Sequence, residues 1–392
     1  MLYNIILLYI FFKMKFKSFY VLIYLSLISL IITEPYKSGL RNIDFQKVID
    51  GKKTDLYTLT NKNDYEISIT NYGGAIAAIM APDKDNKFMN IVQGHDSIDN
   101  ILSCPNEFLS TLIGRYGNRI SDGIFYLDGK KYILNLNNGK NSLHGGPSGF
   151  HSRVWDVELN NQNTLKMCYL SKDGEEGFPG NLKVEVTFSL NDENEFRISY
   201  RAKSDKKTII NLTHHMFVNL AGLVDPCPSI EDHILKLNAN WYLPTDETLI
   251  PTGEIKSVIS TPFDFVSKPK QLKEAIYCYD DKDIKIGQGI DHNFVLNKKT
   301  EDEMIFAGKI VEPNSKRSME IYTTEPGMQI YTANYHDGFR GYHGVTMGKY
   351  SGIAFETQHF PDSPNIGYFP SVVLEEGEIY KSDTVYKFGI DK

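Results

Sequence analysis

The chain has 392 residues, 41% of them hydrophobic and 23% charged, with a formal charge of -7 and a mean hydropathy of -0.31. This is the composition of a folded globular protein with one large or two ordinary domains, and the negative charge excludes a nucleic-acid partner because nothing offsets phosphate repulsion. Four scattered cysteines with no CxxC pair exclude a zinc ribbon and a dense disulfide framework, leaving one or two disulfides open.

Residues 1–32 are almost wholly apolar apart from Lys13, Lys15 and Lys17, and a second apolar run, 19–32, follows those lysines directly. Basic residues ahead of a short apolar core form the pattern of a secretory signal. Residues 1–33 therefore read as a signal peptide or, if uncleaved, a signal anchor attaching the chain to a membrane. A start at Met14 would give the more typical signal. The expected location is the secretory pathway, secreted or membrane-anchored. Residues 34–44 read as a linker, and residues 45–391 as one domain without an internal linker or repeat.

Along that domain the alternation of residues 65–70 (YEISIT) predicts a half-buried strand, followed by a turn at Gly73-Gly74 and a strand over 75–80. Asp128-Gly129 between 125–127 and 131–134 predicts a tight hairpin, because that dipeptide accepts positive φ. Strand pairs follow at 154–159 with 164–170 and at 182–190 with 195–202. Further runs lie at 207–210, 305–311, 318–323, 328–334, 352–357 and 384–389. Residues 270–277 make at most a short helix. Many short strands with frequent turns predict an all-β sandwich or barrel, and one large sandwich is preferred over two domains.

Polar groups suited to holding a polyhydroxyl ligand gather beside these runs. In NLTHH (211–215) adjacent side chains face opposite ways, so only one of His214 and His215 looks into a given cavity. A lone strand histidine is ordinarily structural; the neighbouring segments lift this one above that expectation. GRYGNRI (114–120) offers Asn118 and the forked donors of Arg119. His144 precedes Gly145-Gly146, a backbone able to lie close to a ligand. The DGEEGFPG loop (173–180) carries Phe178 as a possible pocket wall. Asp291, in GIDHNF, accepts hydrogen bonds from hydroxyls, and His292 beside it need not share its face. Glu356 lies in the apolar run of 352–357, where desolvation raises a carboxyl pKa toward that of a usable base. No P-loop, GxGxxG element, GxSxG elbow or HExxH is present, and the histidines lack metal-ligand spacing.

These segments, together with YLPTDETLIPTG (242–253) and EPGMQIYT (325–332), occur in the order of the aldose 1-epimerase (galactose mutarotase) family, which the chain resembles from about 45 to 389. The resemblance implies a large antiparallel β-sandwich (the galactose mutarotase-like supersandwich), a catalytic domain over 45–391, and interconversion of the α and β anomers of free hexoses such as galactose and glucose. By motif, Glu356 resembles the family's general base and His215 its general acid. Asn118, Arg119, His144, Asp291 and Gln329 resemble its sugar-binding residues, and His214 reads as structural. No metal or other cofactor is implied, and the expected partner is a small sugar. A non-catalytic sugar-binding protein on the same scaffold is the alternative; an epimerase of hexose 6-phosphates would need a cationic pocket that the motifs do not supply. Asn211-Leu212-Thr213 is formally a glycosylation sequon, expected to stay unmodified inside the site strand.

Overall fold

A computed structural model describes residues 36–104 and 108–392. The expected signal segment, residues 1–33, lies outside the described residues. The chain divides into two units, Met1–Leu40 and Arg41–Lys392, and the sheets belong to the second. No helix among the described residues is long and apolar enough to cross a membrane.

Three antiparallel sheets make the body. The largest has nine strands and runs, in spatial order, from Asp156–Asn160 through Thr164–Ser171, Leu182–Leu190, Glu195–Ser204, Ile379–Ile390, Arg317–Thr323, Ile305–Val311 and Ile234–Leu237 to Lys270–Gln271. A six-stranded sheet orders Phe217–Val218, Ile353–Gln358, Gly327–Tyr331, Asp291–Val295, Trp241–Tyr242 and Lys256–Ser257. A four-stranded sheet holds Leu56–Thr60, Glu66–Thr70, Ile76–Pro82 and Phe88–Asn90. One continuous apolar cluster joins them, with Val184, Val186 and Ile321 from the first, Ile330 and Phe355 from the second, and Ile67 and Ile79 from the third. The sandwich expected from the strand pattern is the fold observed.

Local sequence explains the elements. Leu182–Leu190 alternates buried and less buried residues, as a strand with one face on a core should. Asp128 (φ 50°) and Gly129 (φ 78°) turn the hairpin between Ile124–Leu127 and Lys130–Ile133. Residues 270–277 contain only the short helix Lys273–Ile276, preceded by the edge strand Lys270–Gln271. A second short helix, Lys282–Gly287, is N-capped by Asp281.

Two expectations change. Glu66–Thr70 is buried on both faces, not one; its polar face is covered, with Ser68 Oγ paired to Thr58 Oγ1 at 3.0 Å. The DGEEGFPG loop does not line the candidate cavity described below. Buried Arg115 ties it down from Nε to Ser171 Oγ, from Nη1 to Pro179 O, and from Nη2 to the carbonyls of Ser171 and Lys172. Phe178 packs against Phe125 in a separate apolar cluster. All four cysteines are free thiols, which closes the disulfide question for the described residues.

Candidate active site

Ile353–Gln358 is buried along its whole length, unlike a strand with one solvent face. In it Glu356 pairs across the sheet with Gln329, which in turn pairs with Asn293. Alternation then puts Asp291 on the neighbouring strand within reach of Gln329, whose Nε2 donates to Asp291 Oδ1 at 2.6 Å. Two carboxyl groups thus lie on one face of one sheet, with an amide between them.

The histidine arrives from another segment. Thr213–His214 pairs with Leu112–Ile113, and His215 N–H donates to Thr111 O at 2.9 Å. As alternation requires, the two rings part. His214 Nε2 lies 3.2 Å from Gly74 O, with its ring against Phe188. His215 faces the other way and brings Nε2 to 3.4 Å from Glu356 Oε1.

Asn118 and His144 lock together. His144 N–H donates to Asn118 O, and Asn118 N–H donates to His144 Nδ1, both at 3.1 Å. That second bond leaves the proton of the neutral ring on Nε2, making His144 a donor. Both residues hold positive φ. Gly145 follows so close to the Arg115 segment that a Cβ would sit 2.0 Å from Gly114 O, which is why LHGG needs its glycine there. Arg119 Nε donates to Asn138 Oδ1 at 3.0 Å, and its Nη2 stands 3.8 Å from Asp291 Oδ2.

These groups surround a cavity of about 720 Å³. Of the seven candidates read from the sequence, Asn118, Arg119, His144, His215, Asp291 and Glu356 line it. Gln329 does not line it and instead holds Asp291. The sequence reading missed Phe108, Asn138, Tyr331, Tyr335 and His336, and the tip formed by Glu247, Thr248 and Leu249. Tyr331 was findable, since it stands two residues from Gln329 on the same strand face. Glu247, Thr248 and Leu249 lie in the YLPTDETLIPTG segment, but the sequence reading gives them no role there.

Electrostatics follow from the dryness of the floor. Burial pushes the Glu356 carboxyl well above its ordinary range; nearby Asp291 adds to the rise and Arg119 opposes it. Burial lowers His215 to about 3 and holds His144 well below 6.5, where the neighbouring His215 and Arg119 lower it further. Burial therefore disfavours the charged form of both His215 and Glu356. One ligand atom each from His144, His215 and Glu356 lies within 4.8 Å of the others. A metal does not suit this set, because the Asn118 N–H holds His144 in the tautomer whose pocket-facing nitrogen carries a proton.

Asn211 is fully buried, its Nδ2 donating to Gly117 O and His359 O and its Oδ1 accepting from His359 N–H. The sequon amide is thus occupied within the fold.

A family model described as aldose 1-epimerase matches residues 55–387. The galactose mutarotase of Bos taurus is 40% identical over 325 residues, covering 83% of this chain and 91% of that protein. The aldose 1-epimerase of Escherichia coli K12 is 33% identical over 341 residues, covering 86% and 96%. Among solved structures, an aldose epimerase homologue from C. elegans superposes with a TM-score of 0.79 at 29% identity, covering 86% of this chain and all of that one. A galactose 1-epimerase from Lactobacillus acidophilus NCFM gives 0.76 at 28%, covering 88% and 97%. Sequence and fold agree over the whole sheet body, and the chain belongs to the aldose 1-epimerase family.

Proposed function

We propose that this cavity interconverts the α and β anomers of free hexoses, galactose and glucose among them, with Glu356 as general base and His215 as general acid. The observation that carries the reading is the 3.4 Å approach of His215 Nε2 to Glu356 Oε1 on a buried floor ringed by hydroxyl-binding groups.

Ring opening moves one proton from the anomeric O1–H to Glu356. The O1 electrons form the aldehyde C=O as the C1–O5 bond breaks, and O5 takes a proton from the His215 imidazolium. The open chain then shares the site with a protonated Glu356 and a neutral His215. Rotation about C1–C2 presents the other face of the aldehyde. O5 attacks C1, its proton returns to His215, and Glu356 returns a proton to O1. General acid and general base each contribute about 10²–10⁴-fold.

Burial of the floor favours the same proton inventory as the midpoint of this cycle. Entry into the cycle requires the proton to move from Glu356 to His215. The Arg119 charge eases the proton off Glu356 but also lowers the His215 pKa, so it sets no direction for the move by itself. Asn118, Arg119, His144 through its Nε2–H, and Asp291 would grip the remaining hydroxyls, so that only the C1 end turns. Gln329 acts one step back by orienting Asp291.

Polarimetry on freshly dissolved α-D-galactose and α-D-glucose tests the proposal. Decay of rotation faster than in buffer, and lost in Glu356→Gln, is the expected result. Galactose binding without acceleration would leave a sugar-binding protein and refute it. We further propose entry into the secretory pathway, supported by the lysine-flanked apolar run of residues 1–32. N-terminal sequencing of the mature protein, with fractionation into membrane and medium, checks this; a cytosolic chain beginning at Met1 would refute it.

A further inference from the structure

Three residues beyond Glu356, outside the cavity lining, the chain meets a buried polar junction. His359 Nδ1–H donates to Glu325 Oε2 at 2.6 Å. Tyr380 O–H reaches Glu325 Oε1 at 3.4 Å, and the Tyr380 oxygen accepts the Leu212 N–H at 3.3 Å. Asn211 holds the main chain of His359 from both sides, with His359 N–H on its Oδ1 at 2.9 Å and its Nδ2–H on His359 O at 3.2 Å. The same Nδ2 reaches Gly117 O, and Gly117 N–H donates to Asn211 O at 2.7 Å. Three segments therefore meet here: the one leading to Asn118 and Arg119, the one leading to His215, and the end of the Glu356 strand.

Glu325 is 2% exposed and still favours its ionised form. Burial alone would raise its pKa, but the charge and hydrogen bond of His359, with Ser382 and Lys298, hold it below the ordinary value. A buried polar pair is a poor source of net stability, since desolvation offsets most of its attraction. It is a good source of fixed geometry, because each partner leaves the other little freedom. His359 ends the segment that delivers the base, and Glu325 reaches the segment that delivers the acid through Tyr380 and the Leu212 N–H. His215 lies three residues after Leu212, and Glu356 three before His359.

We propose that Glu325 and His359, joined through Tyr380 to Leu212, are positioning residues that hold His215 and Glu356 in register across the cavity floor. This rests on the anomer-interconversion reading and deepens it. Neither residue lines the cavity, so the effect should fall on turnover rather than on sugar affinity.

The test measures kcat and KM for galactose and thermal melting on full-length variants. Glu325→Ala and His359→Ala should each lower kcat about 10- to 100-fold with KM within about twofold, the scale set by misplacing a catalytic group by about 1 Å. The double variant should be no slower than the slower single, because both break one clamp. His359→Asn puts an amide N–H near the former Nδ1–H and should recover most of the lost turnover. Should the alanine variants fail to fold, Tyr380→Phe reads the same clamp by deleting only the hydroxyl between Glu325 and Leu212. A several-fold lower kcat at unchanged KM supports the proposal, and an unchanged kcat overturns it. Alanine variants that melt earlier yet keep wild-type kcat also overturn it, as does a loss that His359→Asn does not relieve. A wild-type chain that fails to accelerate mutarotation sinks the underlying reading as well, and is told apart from the other outcomes by that measurement alone.

Discussion

Replacing Glu356 by Gln should remove the activity and stabilise the protein. Gln keeps the shape but cannot accept the anomeric proton, so kcat should fall about 10²–10⁴-fold, which is about 3–5 kcal/mol of transition-state stabilisation. The stability gain comes from burial. Glu356 is 1% exposed, and its Oε2 has no hydrogen-bond partner. Above the unfolded carboxyl pKa the fold must either take up a proton or bury an unsatisfied charge there, a cost of at least about 1–3 kcal/mol that an amide avoids. For about 350 folded-domain residues that is a rise of about 1–4 °C in Tm. The pH dependence fixes the cause. The folded pKa is raised above the unfolded one, so the wild type loses stability as pH climbs from the unfolded value through the folded one. The melting gap between Glu356→Gln and wild type should be near zero at and below about pH 4.5 and widen as pH rises. Calorimetry across that range, paired with polarimetry at one pH, reads both arms. A variant that melts below wild type at pH 8, or a gap that shrinks with rising pH, would refute the account of Glu356 as a strained buried carboxyl.

Other outcomes follow from the same geometry. His215→Asn should lower kcat about 10²–10⁴-fold in the polarimetric assay, and near-normal turnover would remove His215 from the mechanism. Asp291→Asn should raise KM. It should also move the acid limb of the kcat/KM profile to lower pH, since the Asp291 charge raises the Glu356 pKa and the base works only when ionised. Arg115→Ala strands four acceptors in the 171–179 loop and should cost about 3–5 kcal/mol in chemical denaturation. At a temperature where that variant stays folded, KM should be unchanged, because the loop does not reach the cavity.

Much of the site was legible because its chemistry is local. Glu356 stood out as a carboxylate among apolar strand neighbours, and burial of the entire strand is what raises its pKa. His215 could be separated from His214 by alternation alone, and the two rings do part. What failed depended on partners distant in sequence. The acidic loop of residues 173–180 has the composition of a pocket wall, but a guanidinium about sixty residues upstream folds it away. Asn138 orients Arg119 from a loop with no strand pattern. The half-exposed reading of residues 65–70 was reasonable for a polar–apolar alternation, yet hydroxyls such as Ser68 were satisfied inside the sandwich rather than by water.

The buried amide of Asn211 bears on how the chain matures. N-glycosylation in a eukaryotic secretory pathway acts on Asn-x-Ser/Thr before folding is complete, and this is the one such triplet in the sequence. The native fold spends the same nitrogen on Gly117 O and His359 O. A sugar attached there first would block the clamp, so glycosylation and folding compete for one atom. In such a host the fraction of active protein would be set by which arrives first, and slowing the closure of the 115–119 segment onto Asn211 should raise the glycosylated, inactive fraction.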